Sequence, residues 1–273
     1  MKNIVTTTSV FPCCADVAQL AYRLGAIGYK ALDLAFDYCV QKPDYPFMTD
    51  AYEDWARDLR RRADAIGVRY THSHAPFDAR YRGPLIGKTM RVCEILGIHY
   101  CVVHPIWQDE NKNIITDREQ FIHVNADAIR PLLPTAQAHN VVLLSENLLW
   151  GASIEVGIIS DLVKEVNSPW FGWCHDTGHA KGCDRSPADL AGCIPPLSLH
   201  IQDSTSGRDG HLLPGDGDID WKFLLDMLKQ IGYAGDVVLE AHHQSLDAPD
   251  VERDALLVDL LHRAEKIRGY MEK

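Results

Sequence analysis

The sequence predicts an α/β protein that folds as a single (β/α)8 TIM barrel over residues 1–273. Its length is one observation, because barrels of about 250 residues fold as one unit. Another is an alternation of short β-branched runs with longer amphipathic stretches, which is typical of parallel strands joined by helical crossovers. The third observation is that there are eight such β-branched runs. No linker or low-complexity stretch divides the chain between them.

The predicted strands are short aliphatic and β-branched runs spaced along the whole chain. They cover 3–7, 31–34, 69–72, 99–104, 141–146, 171–175, 197–201 and 237–240. Amphipathic stretches between them predict helices that include 51–66, 117–139 and 221–231, and a last helix at 251–271 closes the outer ring. Glycine supplies the left-handed residue that commonly follows a helix, so glycines near these ends predict the stops. They are Gly25, Gly28, Gly67, Gly97, Gly232 and Gly235.

The composition is that of an ordinary globular protein, with 46% hydrophobic and 24% charged residues. The 27 Lys and Arg residues against 38 Asp and Glu residues give a net charge of −11, which disfavours nucleic acid as a partner. The sequence has no apolar run of the kind found in signal peptides or membrane spans, so we expect a cytoplasmic protein. Eight cysteines without a CxxC pair, two of them the adjacent Cys13 and Cys14, predict reduced thiols.

Two familiar motifs are incomplete. Segment 83–89, GPLIGKT, has three residues between its glycines, where a phosphate-binding loop needs four. The sequence also has neither a GxGxxG after the first strand nor a GxSxG elbow. Nucleotide-cofactor and serine-hydrolase chemistry are therefore disfavoured.

Histidines and carboxylates occur where the predicted strands end and in the loop after the seventh strand. Strand ends of a barrel converge on one mouth, so residues far apart in sequence become neighbours there. Each side chain alone could be a hydrogen-bonded polar group, but clustered carboxylates repel one another unless cations or protons neutralise them. Mixed ligation by imidazole and carboxylate suits Zn²⁺ or Mn²⁺ better than Ca²⁺. The predicted ligands are His74, His104, Glu146, Asp176, His179, His200, Asp209, His211 and Glu240.

Several of these residues lie in motifs that occur in a fixed order. Glu146 is followed by DTGH at 176–179, LHIQD at 199–203, DGHLLPGDG at 209–217 and LE at 239–240. This ordered set resembles the xylose-isomerase-like TIM-barrel superfamily, and the resemblance spans nearly the whole chain. It implies the barrel fold and a divalent metal cofactor, Mn²⁺ or Zn²⁺.

The superfamily offers two ligand patterns. D-tagatose 3-epimerase and its relatives hold one ion with a Glu, Asp, His, Glu quartet, which corresponds here to Glu146, Asp176, His200 and Glu240. Endonuclease IV adds further ligands for a zinc cluster. Their positions here are filled by His74, His104, His179, Asp209 and His211. The resemblance therefore implies between one and three ions.

Three classes of function are compatible with this pattern. The preferred class is a sugar, sugar-phosphate or keto-polyol isomerase or epimerase that transfers a proton through a metal-stabilised enediolate. An endonuclease IV-like zinc phosphodiesterase acting on abasic DNA is the alternative, and the acidic charge disfavours it. The third class is a non-catalytic barrel that binds a sugar or a metal. The pair of opposed glutamates, Glu146 and Glu240, disfavours this class. Aldose isomerisation is disfavoured because Asn147 and Leu148 do not supply the lysine that xylose isomerases carry two residues after the corresponding glutamate.

The epimerase resemblance also implies roles for individual residues. Glu146 and Glu240 would combine metal ligation with proton transfer, while His179 and Arg208 would contact substrate oxygens. Trp107 and Trp150 directly follow the His104 and Glu146 segments, so we expect them, rather than Phe36 and Phe77, to line the pocket. The expected partner is a small carbohydrate, with no membrane contact, and the sequence leaves a homo-oligomer open.

Overall fold

The computed structural model describes residues 3–11, 16–76, 83 and 85–273. Its centre is an eight-stranded parallel sheet with the strand order β7-β6-β5-β4-β3-β2-β1-β8. A bridge between Ile201 and Leu239 brings the two edge strands together, so the sheet is a nearly closed barrel. The strands are β1 Ile4–Thr7, β2 Ala31–Ala35, β3 Arg69–His74, β4 Tyr100–Val103, β5 Val142–Glu146, β6 Phe171–Asp176, β7 Ser198–His200 and β8 Val237–Leu239.

Helices connect consecutive strands, which confirms the predicted single (β/α)8 TIM barrel. In the described residues they are α1 Val17–Ile27, α2 Asp37–Val40, α3 Tyr52–Ala65, α4 Ile86–Leu96, α5 Arg118–Ile129, α6 Leu133–Ala138, α7 Val156–Val166, α8 Thr177–Gly182, α9 Trp221–Gln230, α10 His243–Asp247 and α11 Asp250–Met271. None of these helices is long and apolar enough to cross a membrane.

Two details differ from the sequence-based expectations. The helix predicted at 117–139 is divided into α5, a 3-10 turn at Arg130–Leu132, and α6. Proline explains the division, since Pro131 and Pro134 lack the backbone N–H that a continuous helix needs. Of the predicted stop glycines, Gly25 lies inside α1, where an added Cβ would come 2.9 Å from Cγ2 of Val68. A Cβ on Gly235 would come 2.8 Å from the carbonyl oxygen of Leu197, so that position requires close packing rather than a helix cap.

The interior of the barrel is filled by apolar side chains below its carboxyl-terminal end. One small cluster contains Val5, Ala31 and Val238. A second contains Val102, Val142, Leu144 and Cys174. The six cysteines in the described ranges are free, whereas Cys13 and Cys14 lie outside them. The buried His72 on β3 is a polar exception in this region, and the predicted ligands lie at the strand ends above these clusters.

Candidate metal centre

Four predicted ligands lie at the carboxyl ends of four consecutive strands. Glu146, Asp176 and His200 are the last residues of β5, β6 and β7, and Glu240 directly follows β8. Their ligand atoms all lie within 4.8 Å of one another. We call these four residues the quartet. Nδ1 of His200 is its central atom, 2.7 Å from Oε1 of Glu146 and 3.1 Å from Oε2 of Glu240.

A second group shares Glu146 with the quartet. Nε2 of His74 and Nε2 of His104 are 3.1 Å apart, and they lie 3.5 and 3.3 Å from Oε2 of Glu146. Tetrahedral zinc, with bonds of about 2.0–2.1 Å, requires ligand atoms about 3.3 Å apart. The separations among His74, His104 and Glu146 fit that spacing, and Oε2 of Glu146 is buried and faces the two imidazoles.

A third group is formed by His179 and the loop after β7. Oδ1 of Asp209 lies 3.0 Å from Nε2 of His211 and 3.6 Å from Nε2 of His179. We call His179, Asp209 and His211 the inner triad. All nine residues predicted as ligands therefore fall into three groups that could hold an ion.

Backbone carbonyls orient three of the histidines. Nδ1 of His74 lies 2.8 Å from the carbonyl oxygen of Ala75, and Nδ1 of His211 lies 2.8 Å from that of Glu240. Nδ1 of His179 similarly approaches the Asn147 carbonyl oxygen at 2.9 Å. An Nδ1–H that donates to a carbonyl leaves the Nε2 lone pair free, which is the usual arrangement of metal-ligating histidine.

Two buried amides hold the groups together, and the sequence did not single them out. The Asn147 side chain donates to the carbonyl of Asp176 and accepts from its N–H, both at 2.9 Å. Nε2 of Gln202 lies 3.2 Å from both carboxylate oxygens of Asp176, and its Oε1 accepts the His211 N–H at 2.7 Å. Asn147 therefore holds Asp176 in place, and Gln202 links Asp176 to His211.

The loop that carries Asp209 and His211 is anchored by Asp203, which is fully buried. Oδ2 of Asp203 accepts hydrogen bonds from the Gly215 N–H at 2.7 Å and from Nε1 of Trp221 at 2.8 Å. Its Oδ1 accepts from the Ile219 N–H at 3.2 Å. The turn-rich segment before α9 is therefore held by one carboxylate, which explains the motif's succession of Asp and Gly residues.

Residues 21–261 match the family described as xylose isomerase-like TIM barrel. The match covers most of the chain. This protein belongs to that family.

Named members resemble the chain over most of its length. L-ribulose-5-phosphate 3-epimerase UlaE of Escherichia coli (strain Crooks) is 29% identical over 260 residues, which are 88% of this chain and 86% of that protein. D-psicose 3-epimerase of Clostridium cellulolyticum H10, solved with D-tagatose, has a TM-score of 0.75 at 18% identity and covers 97% of this chain and 99% of its own. The IolI protein, solved with a zinc atom, has a TM-score of 0.73 at 18% identity and covers 98% and 97%. The two structural similarities show that these proteins share the fold of this chain.

The carboxylates of this family member differ in their electrostatic environment. Burial raises the pKa of Glu146, but the charge of His200 and hydrogen bonds from the surrounding histidines outweigh it and hold that pKa well below its usual range. Burial raises the pKa of Asp176 to about 7. Burial also raises the pKa of Glu240, but the charge of His200 and its hydrogen bond outweigh burial and lower that pKa. Without a cation, the charges of these carboxylates are compensated by protonated histidines.

The histidines show the complementary pattern. Burial opposes protonation of His74, yet the hydrogen bond and charge of Glu146 raise its pKa to about 9. His211 is raised to about 9 against its burial, mainly by the hydrogen bond to Asp209. Burial dominates at His104, where the pKa is lowered to about 4. A divalent ion could replace the protons on His74 and His211, so the donor set fits Zn²⁺ or Mn²⁺ chemically.

The residues predicted to contact substrate have varied environments. Trp107 and Trp150 stack with their ring centroids 5.3 Å apart, and Trp150 is 43% exposed. Arg208 is exposed in the loop beside Asp209. Phe36 is fully buried against Phe47, so it belongs to the core as expected. Phe77 lies outside the described residues.

Proposed function

We propose that the protein is a divalent-metal-dependent sugar isomerase or epimerase that acts on a ketose, a ketose phosphate or a keto-polyol. The observation that carries this proposal is the quartet, in which two glutamates from β5 and β8 approach the same imidazole nitrogen of His200. The similarity to a protein named as a sugar-phosphate 3-epimerase supports the same substrate class. The net charge of −11 is compatible with a small carbohydrate substrate.

The residues that would hold the ion are Glu146, Asp176, His200 and Glu240. A divalent ion bound there would polarise a substrate carbonyl and increase the acidity of the neighbouring C–H bond. A glutamate carboxylate removes that proton, and a carboxyl group returns a proton to the carbon on the other face of the resulting enediolate. Glu240 suits the first role, because only one of its oxygens contacts His200 and its side chain is 13% exposed to the mouth.

The stacked tryptophans supply the apolar part of the proposed pocket. Trp107 follows β4 and Trp150 follows β5, so both extend from the mouth side of the barrel. A sugar ring or carbon chain packs on such aromatic faces, while nearby polar groups fix its hydroxyls. We assign His179 and Arg208 to contacts with substrate oxygens, His179 within the site and Arg208 from the exposed loop.

A second candidate function is favoured by the two groups beside the quartet. A quartet and two triads could hold three ions, and multi-metal clusters stabilise both oxygens of a phosphoryl-transfer reaction. An endonuclease IV-like phosphodiesterase acting on abasic DNA uses such a set. The charge of −11 disfavours a DNA substrate, and for that reason this function ranks second.

The deciding experiment is a substrate screen with metal-reconstituted protein. Ketoses, keto-inositols and ketose phosphates are tested beside abasic duplex DNA at physiological salt, with His200→Ala as the metal-deficient control. We expect turnover of a carbohydrate that the control lacks. Incision of abasic DNA faster than the best sugar turnover would reverse the ranking, and a metallated protein inactive on both would support a binding barrel.

A further inference from the structure

Two histidines that follow Glu240 lie beside the inner triad. His242 stacks on His211 with ring centroids 4.1 Å apart and an interplanar angle of 19°. The His243 ring lies 4.8 Å from that of His211 and 4.9 Å from that of His242. One ring nitrogen from each of the three lies within 4.8 Å of the other two. We call His211, His242 and His243 the outer triad.

The surroundings of His211 and His242 are compatible with metal ligation. His211 directs Nδ1 to the Glu240 carbonyl at 2.8 Å, so Nε2, which lies 3.0 Å from Oδ1 of Asp209, is the atom that can ligate. Nδ1 of His242 is buried and has no hydrogen-bond partner among the described residues. A buried nitrogen without a partner is destabilising, and a bound cation would satisfy it.

Solvent exposure increases from His211 through His242 to His243. His211 is buried, His242 is intermediate and His243 is exposed. The outer triad therefore extends from the inner triad to the surface of the mouth. The chain holds it in place, because the buried Arg253 donates to the carbonyls of Ser245 and Ala248, at 2.6 and 2.8 Å, just after the two histidines.

We infer that the outer triad is an additional metal site, which captures a divalent transition-metal ion at the surface and shares His211 with the inner triad. Three neutral imidazoles favour Zn²⁺, Co²⁺, Ni²⁺ or Cu²⁺ over Mg²⁺ or Ca²⁺. Because Nδ1 of His211 is hydrogen-bonded to Glu240, only Nε2 can ligate, so His211 serves one triad at a time. An ion can then pass between the triads when His211 exchanges one set of partners for the other. The inference concerns ion capture and does not depend on the reaction proposed above.

Because both triads contain His211, the test must disable the inner triad without removing His211. Substituting Asp209 does this. In Asp209→Ala, the inner triad loses its carboxylate, and an ion should remain bound by the outer triad. We compare Asp209→Ala/His242→Ala/His243→Ala with Asp209→Ala/His123→Ala. His123 lies on α5 with a side chain 76% exposed, so it controls for loss of surface imidazole. Bound Zn²⁺ is measured by equilibrium dialysis, and Co²⁺ binding by visible absorption.

We expect the variant without His242 and His243 to hold one ion fewer than the His123 control. Equal numbers of ions, bound with equal affinity, would overturn the inference. If the triple variant does not fold, His243→Gln in the Asp209→Ala background replaces it, because His243 is exposed and its removal disturbs little packing. That substitution should weaken binding of the outer ion by about tenfold or more, and an unchanged affinity would contradict the site.

Discussion

The Nδ1 atom of His200 lies 2.7 Å from Oε1 of Glu146, and both side chains are almost completely buried. The other oxygen of Glu146 lies 3.3 Å from Nε2 of His104. Both oxygens of Glu146 therefore face imidazole nitrogens of predicted ligands. Glu240 contacts His200 through one oxygen only. We infer that the two glutamates, which the sequence treats alike, differ in their capacity for proton transfer.

The first prediction follows from this difference. Glu240→Gln keeps one ligating oxygen and nearly the same volume but removes the basic carboxylate, so turnover should fall by about 10²- to 10⁴-fold while metal occupancy falls much less. Glu146→Gln should reduce turnover and metal content together, because it replaces a ligand of two groups. Elemental analysis and initial rates separate the two effects. A fully metallated Glu240→Gln protein with near wild-type turnover would refute the role assigned to Glu240.

The second prediction concerns pH and metal affinity. The pKa values of His74 and His211 are raised to about 9, so both carry protons at neutral pH when no ion is bound. An ion must displace these protons, and its affinity should rise with pH up to about 9. Titration calorimetry in buffers of different ionisation enthalpy should detect protons released on binding at neutral pH. Binding without proton release, with an affinity independent of pH, would show that these imidazoles are not ligands.

The third prediction tests the support given by Gln202. An added Cβ on Gly178 would lie 2.1 Å from Oε1 of Gln202, so Gly178→Ala must displace the amide that contacts Asp176 and His211. We expect a loss of about 1–3 kcal/mol in the free energy of unfolding, together with weaker metal binding. Gly157→Ala, in α7 with open space around its Cβ, is the matched control and should be neutral or slightly stabilising. Urea unfolding and metal titration measure both effects, and similar behaviour of the two variants would contradict the role of Gln202.

Much of the candidate site was predictable because barrel topology determines where strand ends meet. Glu146, Asp176 and His200 end consecutive strands, so their convergence follows from the order of the motifs. The boundaries were less predictable, since β3 continues to His74 and prolines divide the helix predicted at 117–139.

Other features depend on contacts that no local pattern records. Gln202 lies within the LHIQD motif, but its amide is identified as a support only by its distances to Asp176 and His211. His242 and His243 lie two and three residues after Glu240, and this proximity was the only signal in the sequence that could have indicated them. Their approach to His211 depends on the conformation of the loop after β7, which periodicity does not predict.

The fourth prediction concerns the tryptophan pair. If Trp107 and Trp150 pack against the sugar, Trp150→Ala should raise KM by about twofold to tenfold, because an aromatic contact contributes about 0.5–1.5 kcal/mol. Trp150→Phe, which keeps an aromatic ring, should have a KM close to that of the wild type. Tyr22→Ala, which removes another exposed aromatic ring from α1, is the control. Steady-state kinetics with the identified substrate measure the effect, and an unchanged KM for Trp150→Ala would place the pair outside the substrate pocket.

Proton transfer at a substrate carbon is the central claim, and deuterium incorporation tests it most directly. The metallated wild-type protein is incubated in D₂O with the carbohydrate identified in the screen, and the product is examined by NMR and mass spectrometry. The account predicts deuterium at the reacting carbon, because the glutamate carboxyl groups exchange with solvent before a proton is returned. Complete conversion to a product without deuterium at that carbon would contradict it and would indicate a hydride shift.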